Sequence, residues 1–417
     1  MVNFLIFLRI NASWLAAGFL LTFTSSFGQT FFISVFSGDI RAEFGLSNGE
    51  WGGIYTLATM ASAVVMVFAG GLTDRFRVRH IGVIILGILA FAVFLMAQAG
   101  SVWVLVLAMF LLRLMGQGMM GHTAMVAMAR WFVATRGRAV SIAGLGVAMG
   151  EGLLPITFVA LMGVFAWRDL WIGAGLFLLL MTPVLFVLLR RERTPMSFAK
   201  ETHSAGMQGR SWTRGEVSRH WLFWMMVPAL LGPAAWSTAF FFHQVHFAEV
   251  KGWSHVSLVA LFPMFTLTGI ITMLSTGWLV DRFGCARLAS VYLLPFAAGF
   301  GVIAVADALW VAGLGVILMG VGQGMNSTLS TAFWAEFFGT RHLGTIRAMT
   351  AAIMVLGTAI GPGVSGVLID LGIAFPSQAY GIGIYFLVAG ILAGIGALRA
   401  RLLLRALPDE APSKRTS

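Results

Sequence analysis

Arg113 and Glu151 each stand within a long apolar run, and both can do chemistry there. An ionisable group at hydrocarbon depth is costly and is a functional candidate by default. A guanidinium draws an anion, and a carboxyl takes up and releases a proton. Counting about 1.5 Å per residue puts Arg113 about 16–18 Å from the start of its run and Glu151 about 18–20 Å from the start of the next. Both fall near the middle of the run. The two runs are consecutive, so a charge-assisted contact is expected between these residues. It either fixes helix packing as a static pair, or breaks as a site opens and lets Glu151 lose its proton.

His243, His246 and Glu249 follow one another at one-turn spacing on one helical face, at the end of another run. Such a cluster can sense pH or meet an anion first, and it can equally cap an interface. Pro228 and Gly232-Pro233, earlier in the same run, predict a bend. Ser25, Ser26, Gln29, Gln117, His122, Gln244, Gln323 and Asn326 add polar groups to apolar surroundings. They can bind carboxylates or polyols, and they can also hold helices together. No Gly-rich run ending in Lys-Ser or Lys-Thr offers an ATP cradle. No Ser/His/Asp or His/Glu constellation points to catalysis, and no Cys/His cluster has metal-ligand spacing. The expectation is a protein that is not an enzyme and carries no cofactor or metal.

The elements that must position these groups follow from composition. Of the 417 residues 59% are hydrophobic and only 10% are charged, with a mean hydropathy of +0.90. A soluble domain carries about a quarter charged residues, so this is an all-α membrane protein. Long unbroken apolar runs exclude a β-barrel, and the single Cys285 excludes a disulfide framework. The runs give twelve transmembrane helices, at 12–37, 51–71, 80–99, 102–129, 139–164, 168–189, 220–247, 255–279, 286–306, 309–333, 345–370 and 379–398.

The net charge of +11 does not signal nucleic acid, because its placement tracks the loops. Of the 27 Lys and Arg, all but Arg41, Arg113, Arg168 and Lys251 fall on one side of the alternating spans. The positive-inside rule then places both termini in the cytoplasm, with the chain in the cell or inner membrane. Residues 1–190 form one six-helix bundle, 191–219 a cytoplasmic linker, 220–400 a second bundle and 401–417 a cytoplasmic tail.

The two halves repeat. Gly70-Gly71-Leu72-Thr73-Asp74-Arg75-Phe76 returns as Gly277-Trp278-Leu279-Val280-Asp281-Arg282-Phe283, and Gly45-Leu46-Ser47 returns as Gly252-Trp253-Ser254, both at an offset of 207. Gly116-Gln117-Gly118-Met119 returns as Gly322-Gln323-Gly324-Met325 at 206. Six spans per repeat keep the same orientation, so the halves are parallel repeats.

On these residues the chain resembles the major facilitator superfamily over essentially its whole length. The resemblance rests on the Asp-Arg loops after spans 2 and 8 and on Arg113 with Gln117-Gly118. The family has Gly where Arg77 stands, and the second copy keeps it as Gly284. A carboxylate at the end of span 2 can meet the positive amino ends of neighbouring helices. The resemblance implies that Asp74 docks on span 11 and latches one conformation, with Arg75, Asp281 and Arg282 in the same device. It also implies that spans 1, 4, 7 and 10 line a central cavity.

The function so implied is a secondary active transporter working by alternating access. Arg130-Trp131-Phe132 and Arg136-Gly137-Arg138-Ala139 are similar to the monocarboxylate and oxalate–formate porter branch, which favours a small organic anion coupled to protons. Arg113, Gln117, Gln29, His243, Gln244, Gln323 and Asn326 are the expected substrate residues. Glu151, His246 and Glu249 are the expected proton-coupling residues. The alternative is a proton-driven efflux antiporter of drugs or metabolites, for which a Met-rich aromatic lining is suited. The Gly-Pro stretches around Gly150 and Pro155, and at Gly361-Pro362, resemble those of antiporters. A membrane sensor is a third class, but the chain shows no additional soluble domain to signal through. The expected partners are the small-molecule substrate, H+ and the lipid bilayer. A monomer is the family's usual form.

Overall fold

A computed structural model describes residues 2–132, 135–190 and 205–405; for residues 2–5, 67, 74, 75, 136 and 405 it describes the backbone alone. All regular structure among them is helical. Among the described residues ten helices are long and apolar enough to cross a membrane: Val78–Ala97, Val102–Trp131, Gly137–Met162, Trp167–Leu188, Trp221–Phe242, His255–Phe283, Cys285–Val305, Leu309–Phe338, Leu343–Asp370 and Phe375–Leu404. A bent pair, Ala12–Gly28 with Thr30–Phe44, turns by 48° and, taken as one broken span, is an eleventh candidate. Asn48–Ala69 completes the first set of six. In chain order these are spans 1 to 12, two bundles of six.

Span 1 begins and span 12 ends at one face, called here the terminal face; spans 2, 4, 6, 8, 10 and 12 begin at the far face. The Gly-x-Ser repeat is a helix-entry device at that far face. Gly45 (φ 65°) and Gly252 (φ 66°) close the preceding helices in the left-handed conformation, which glycine adopts without penalty. Ser47 then caps span 2 in a reciprocal box with Glu50, and Ser254 caps span 8 by accepting from the Ser257 amide at 3.2 Å.

Small residues set the helix spacing. Span 11 lies between spans 7 and 2, and a Cβ on Gly357 or Gly361 would meet the backbone of Leu231 or Ala235 in span 7. A Cβ on Gly366 would meet the Asn48 carbonyl of span 2. Without a hydrophobic drive between helices in lipid, such backbone approach is a main source of packing. In the first half, Trp171 of span 6 closes on Phe32 and Phe36 of span 1, with ring centroids 5.2 and 5.1 Å away.

Several boundaries differ from the sequence reading. Pro228 and Pro233 sit inside the unbroken helix Trp221–Phe242, and the interruption comes later, at His243. Tyr385 donates to the Pro228 carbonyl at 2.8 Å, and its ring packs against Gly232. The last helix runs Phe375–Arg405, past the boundary expected at 400. Residues 191–204 of the expected linker and 406–417 of the tail lie outside the described residues. The remainder of the linker packs on the second half: the Trp212 amide donates to Phe338 O at 3.0 Å, and Met207 and Trp212 are buried. Cys285 opens span 9, buried, its amide donating to Glu336 at 3.3 Å.

The two Asp-Arg loops differ in backbone. Gly284 has φ 79°, in the region that favours glycine, whereas Arg77 has φ −67° in extended conformation and so needs no glycine.

Candidate functional site

A central cavity of about 380 Å³ lies between the two bundles. Its polar wall is made by Gln29 and Thr30 of span 1, Gln117 of span 4, Glu151 of span 5, Ser237 and Thr238 of span 7, Gln323 and Asn326 of span 10, and Thr358 of span 11. Phe31, Phe241, Phe265 and Met354 supply apolar surface. Among the lining residues Glu151 alone is ionisable. The repeat-related Gln117 and Gln323 both reach this cavity, one from each half. Their flanking glycines pack outward: Gly116 meets Gly28, Gly118 meets Met66, Gly322 meets the Phe296 ring and Gly324 meets Gly269 O. Tight glycine contacts on either side thus fix the backbone that presents each amide.

Arg113 sits behind that wall at 1% exposure. Its Nε donates to Thr59 Oγ1 at 3.1 Å and its Nη1 to Gly28 O at 3.1 Å and Thr30 Oγ1 at 3.4 Å. The guanidinium carbon lies 4.9 Å from the Tyr55 ring centroid, a cation–π contact. Nη2 is buried and has no partner. Two backbone irregularities make this arrangement. Span 1 breaks at Gln29 (φ −87°, ψ 154°), and the Gly28 carbonyl beside the break accepts from Arg113. Span 4 widens to a π-helix over Arg113–Met120, and such bulges are frequent at functional sites. The break and the bulge touch: a Cβ on Gly28 would run into Leu112 O and the Gly116 Cα.

The expected Arg113–Glu151 contact is not made. Arg113 turns toward spans 1 and 2, where the break and three hydroxyl-bearing side chains, Thr30, Tyr55 and Thr59, supply its surroundings. Glu151 turns to the other half, and its Oε2 accepts from Thr266 Oγ1 of span 8 at 3.1 Å.

The histidine cluster is dispersed. His243 is buried and its Nε2 lies 2.9 Å from the Pro362 carbonyl. His246 is half-buried, its Nε2 without a partner. Glu249 lines a separate far-face vestibule with Asp39, Arg41 and His255. Gln244 is buried away from the central cavity and donates to Ser34 Oγ at 2.7 Å. His122 lies near the terminal face with Nε2 3.4 Å from Thr73 Oγ1. Asp74 and Arg75 belong to the short helix Leu72–Arg75, and their side chains lie outside the described residues. Asp281 and Arg282 are exposed at the end of span 8, with Arg282 5.2 Å from the Trp278 ring.

Sequence reasoning missed Thr30, Tyr55, Thr59 and Thr266. Tyr55 and Thr59 are spaced i, i+4, a polar pair on one face of an apolar run, and that spacing was the available signal.

Polar and aromatic contacts join the halves toward the far face. Gln244 bonds Ser34, Thr56 Oγ1 donates to Ala359 O at 2.6 Å, and Phe242 stacks on Trp51 at 5.8 Å. Asp370 accepts from Ser47 Oγ at 2.7 Å, from the Gly49 amide at 2.8 Å and from the Asn48 amide at 3.1 Å. These contacts hold the two halves together on the far side of the cavity.

The family model described as Major Facilitator Superfamily matches residues 18–362 and 277–417. A Thermus thermophilus protein named "Probable nitrate/nitrite antiporter NarK1" is 25% identical over 410 residues, 94% of this chain and 82% of the relative. A Cupriavidus necator protein named "Probable sulfoacetate transporter SauU" is 29% identical over 144 residues, 34% of this chain and 33% of the relative. A Mycobacterium tuberculosis "Multidrug resistance protein B homolog" is 34% identical over 138 residues, and the match spans 24% of that protein's length. Among solved structures, the nucleoside transporter NupG aligns with a TM-score of 0.66 at 11% identity, covering 94% of this chain and 99% of that one. A bacterial homologue of the lysosomal transporter Spinster aligns at 0.65 and 17%, covering 95% and 97%.

Proposed function

The chain belongs to the Major Facilitator Superfamily, and from that premise we propose that this membrane transporter moves a small organic or inorganic oxyanion in exchange or symport with protons. The observation that carries the reading is the guanidinium of Arg113. It is buried, its hydrogen-bond partners are all neutral, and its Nη2 amino group has no partner. A buried charge without a counter-charge favours a mobile anion nearby. Thr30 links it to the substrate space, since its hydroxyl meets Arg113 and also lines the cavity. The amides of Gln29, Gln117, Gln323 and Asn326 supply N–H donors around the same space. Glu151, the ionisable residue of the lining, provides the coupling group. The names of two relatives specify anions, nitrate or nitrite and sulfoacetate, and support this reading.

With the basic loops on the cytoplasmic side, in this reading the far-face closure corresponds to a protein closed to the outside. The first bundle ends near 190 and the second begins near 220. Asp74 and Arg75, with Asp281 and Arg282, act at the cytoplasmic ends of spans 2 and 8, where they latch the opposite state.

The test is ligand-induced stabilisation of the purified full chain, because a ligand that binds the native state raises apparent stability by mass action. Nitrate, acetate and sulfoacetate are added at two pH values. A pH-dependent rise with one of them, lost in Arg113→Gln, is the expected result. A rise only with hydrophobic cations sinks the anion reading and favours efflux, which the aromatic wall and the multidrug relative support.

A further inference from the structure

The repeated Gly-x-Ser entry motif has two copies, and the structure uses them differently. At span 2, the three first donors, Ser47 Oγ and the amides of Asn48 and Gly49, all point to one carboxylate, Asp370 at the end of span 11. The residues come from different halves. At span 8, Ser254 meets only Ser257 from its own helix. By the offset of 207, Asp370 corresponds to position 163, which is Gly163, so the second entry has no counterpart of this carboxylate.

We infer that Asp370 is a one-sided gate latch: its docking on the amino end of span 2 holds the far face closed, and its release accompanies opening there. A helix start carries unsatisfied N–H groups and partial positive charge. A carboxylate satisfies several of these at once, through charge-assisted bonds that are directional and therefore break cleanly when the helices separate. Asp370 is exposed, so water can take over its solvation on release, and the latch is reversible. Around it the contact between spans 2 and 11 is made of glycine and backbone: Gly52 lies against Pro362 O and Gly363 against the Thr56 side chain. That surface can part without breaking interlocked large side chains. The latch concerns the movement of the halves and does not rest on which substrate is carried.

Two variants attack the contact from opposite sides. Asp370→Asn removes the charge and one acceptor. Gly49→Ala keeps the carboxylate but brings a Cβ into collision with Asp370 Oδ2, while alanine by itself favours the helix. Spin labels at V164C and W310C, positions 77% and 71% exposed near the far face of the two halves, report their separation in the ligand-free full chain. Each variant is expected to raise the ratio of long to short distances by about 2- to 30-fold, the range spanned by charge–helix interactions. Ser254→Ala, which removes a similar cap without a partner half, should leave the ratio unchanged. Distances unaltered in a folded D370N or G49A protein overturn the proposal. So does an equal widening in S254A, which would reduce the effect to general weakening of a helix start.

Discussion

Thr266 of the second half donates to Glu151 of the first across 3.1 Å, so the lone ionisable residue of the cavity wall is also a bridge between the bundles. Any movement that separates spans 5 and 8 takes a hydrogen bond from this carboxylate. Loss of that bond changes the surroundings of the carboxyl, which is what the proposed coupling role requires.

Glu151→Gln retains an acceptor for Thr266 and removes the proton site. Proteoliposome uptake of the oxyanion that gives the stability rise should lose its dependence on an imposed pH gradient, while exchange at equal pH persists. Thr266→Val keeps the carboxyl and should keep the gradient response. Gradient-driven uptake intact in E151Q would remove Glu151 from the coupling role.

Arg113 is held by a fork of bonds that lysine cannot reproduce. Arg113→Lys should retain part of the anion response, because the charge remains, and Arg113→Gln should lose it. Tyr55→Phe keeps the ring under the guanidinium and removes only the hydroxyl near Thr30. Its cost in stability should be small, about 0.5–1.5 kcal/mol. Equal anion binding by R113Q and the parent, measured by calorimetry, would contradict the assignment.

Gly116→Ala inserts a methyl group where Gly28 already touches span 4. Overpacking of this kind costs about 1–3 kcal/mol, and a lowered melting temperature should show it. Gly121→Ala, a few residues on with open space around it, should have no such effect.

Outside the membrane, the backbone N–H and hydroxyl of Thr213 hold the Glu216 carboxyl below the usual glutamate range, with help from Arg210. A depressed carboxylate pKa contributes stability that is present above the unfolded value and lost as pH falls through the folded one. The short helix Arg214–Arg219 should therefore open first on acidification. Hydrogen exchange at the Val217 amide, which bonds Thr213 O at 3.0 Å, reports it. The acid sensitivity should vanish in Glu216→Gln.

The architecture was readable because hydrophobic length and the repeat are one-dimensional signals. Gly45 and Gly252 even keep the same left-handed φ in both copies. Glu151 and the paired glutamines were visible as polar residues in apolar runs, and each lines the cavity. Which neighbour a buried charge chooses was not readable. Spacing along consecutive helices suggested Arg113 with Glu151, but the rotation of span 4 through its π-helix and the break at Gln29 are tertiary features. The burial of Gln244 and His243 likewise depends on how spans 1, 7 and 11 meet. A helical face alone does not encode that meeting.

Cys285, the sole cysteine of the chain, is sealed at the start of span 9 with 1% exposure. The thiolate is the reactive form of cysteine, and reagents must reach it. Folded protein should thus be nearly inert to maleimides and to mild oxidants, and should gain one reactive group on unfolding. The molecule carries a built-in chemical reporter of its own integrity: alkylation of Cys285 counts the chains that have lost their packing, in any lipid or detergent.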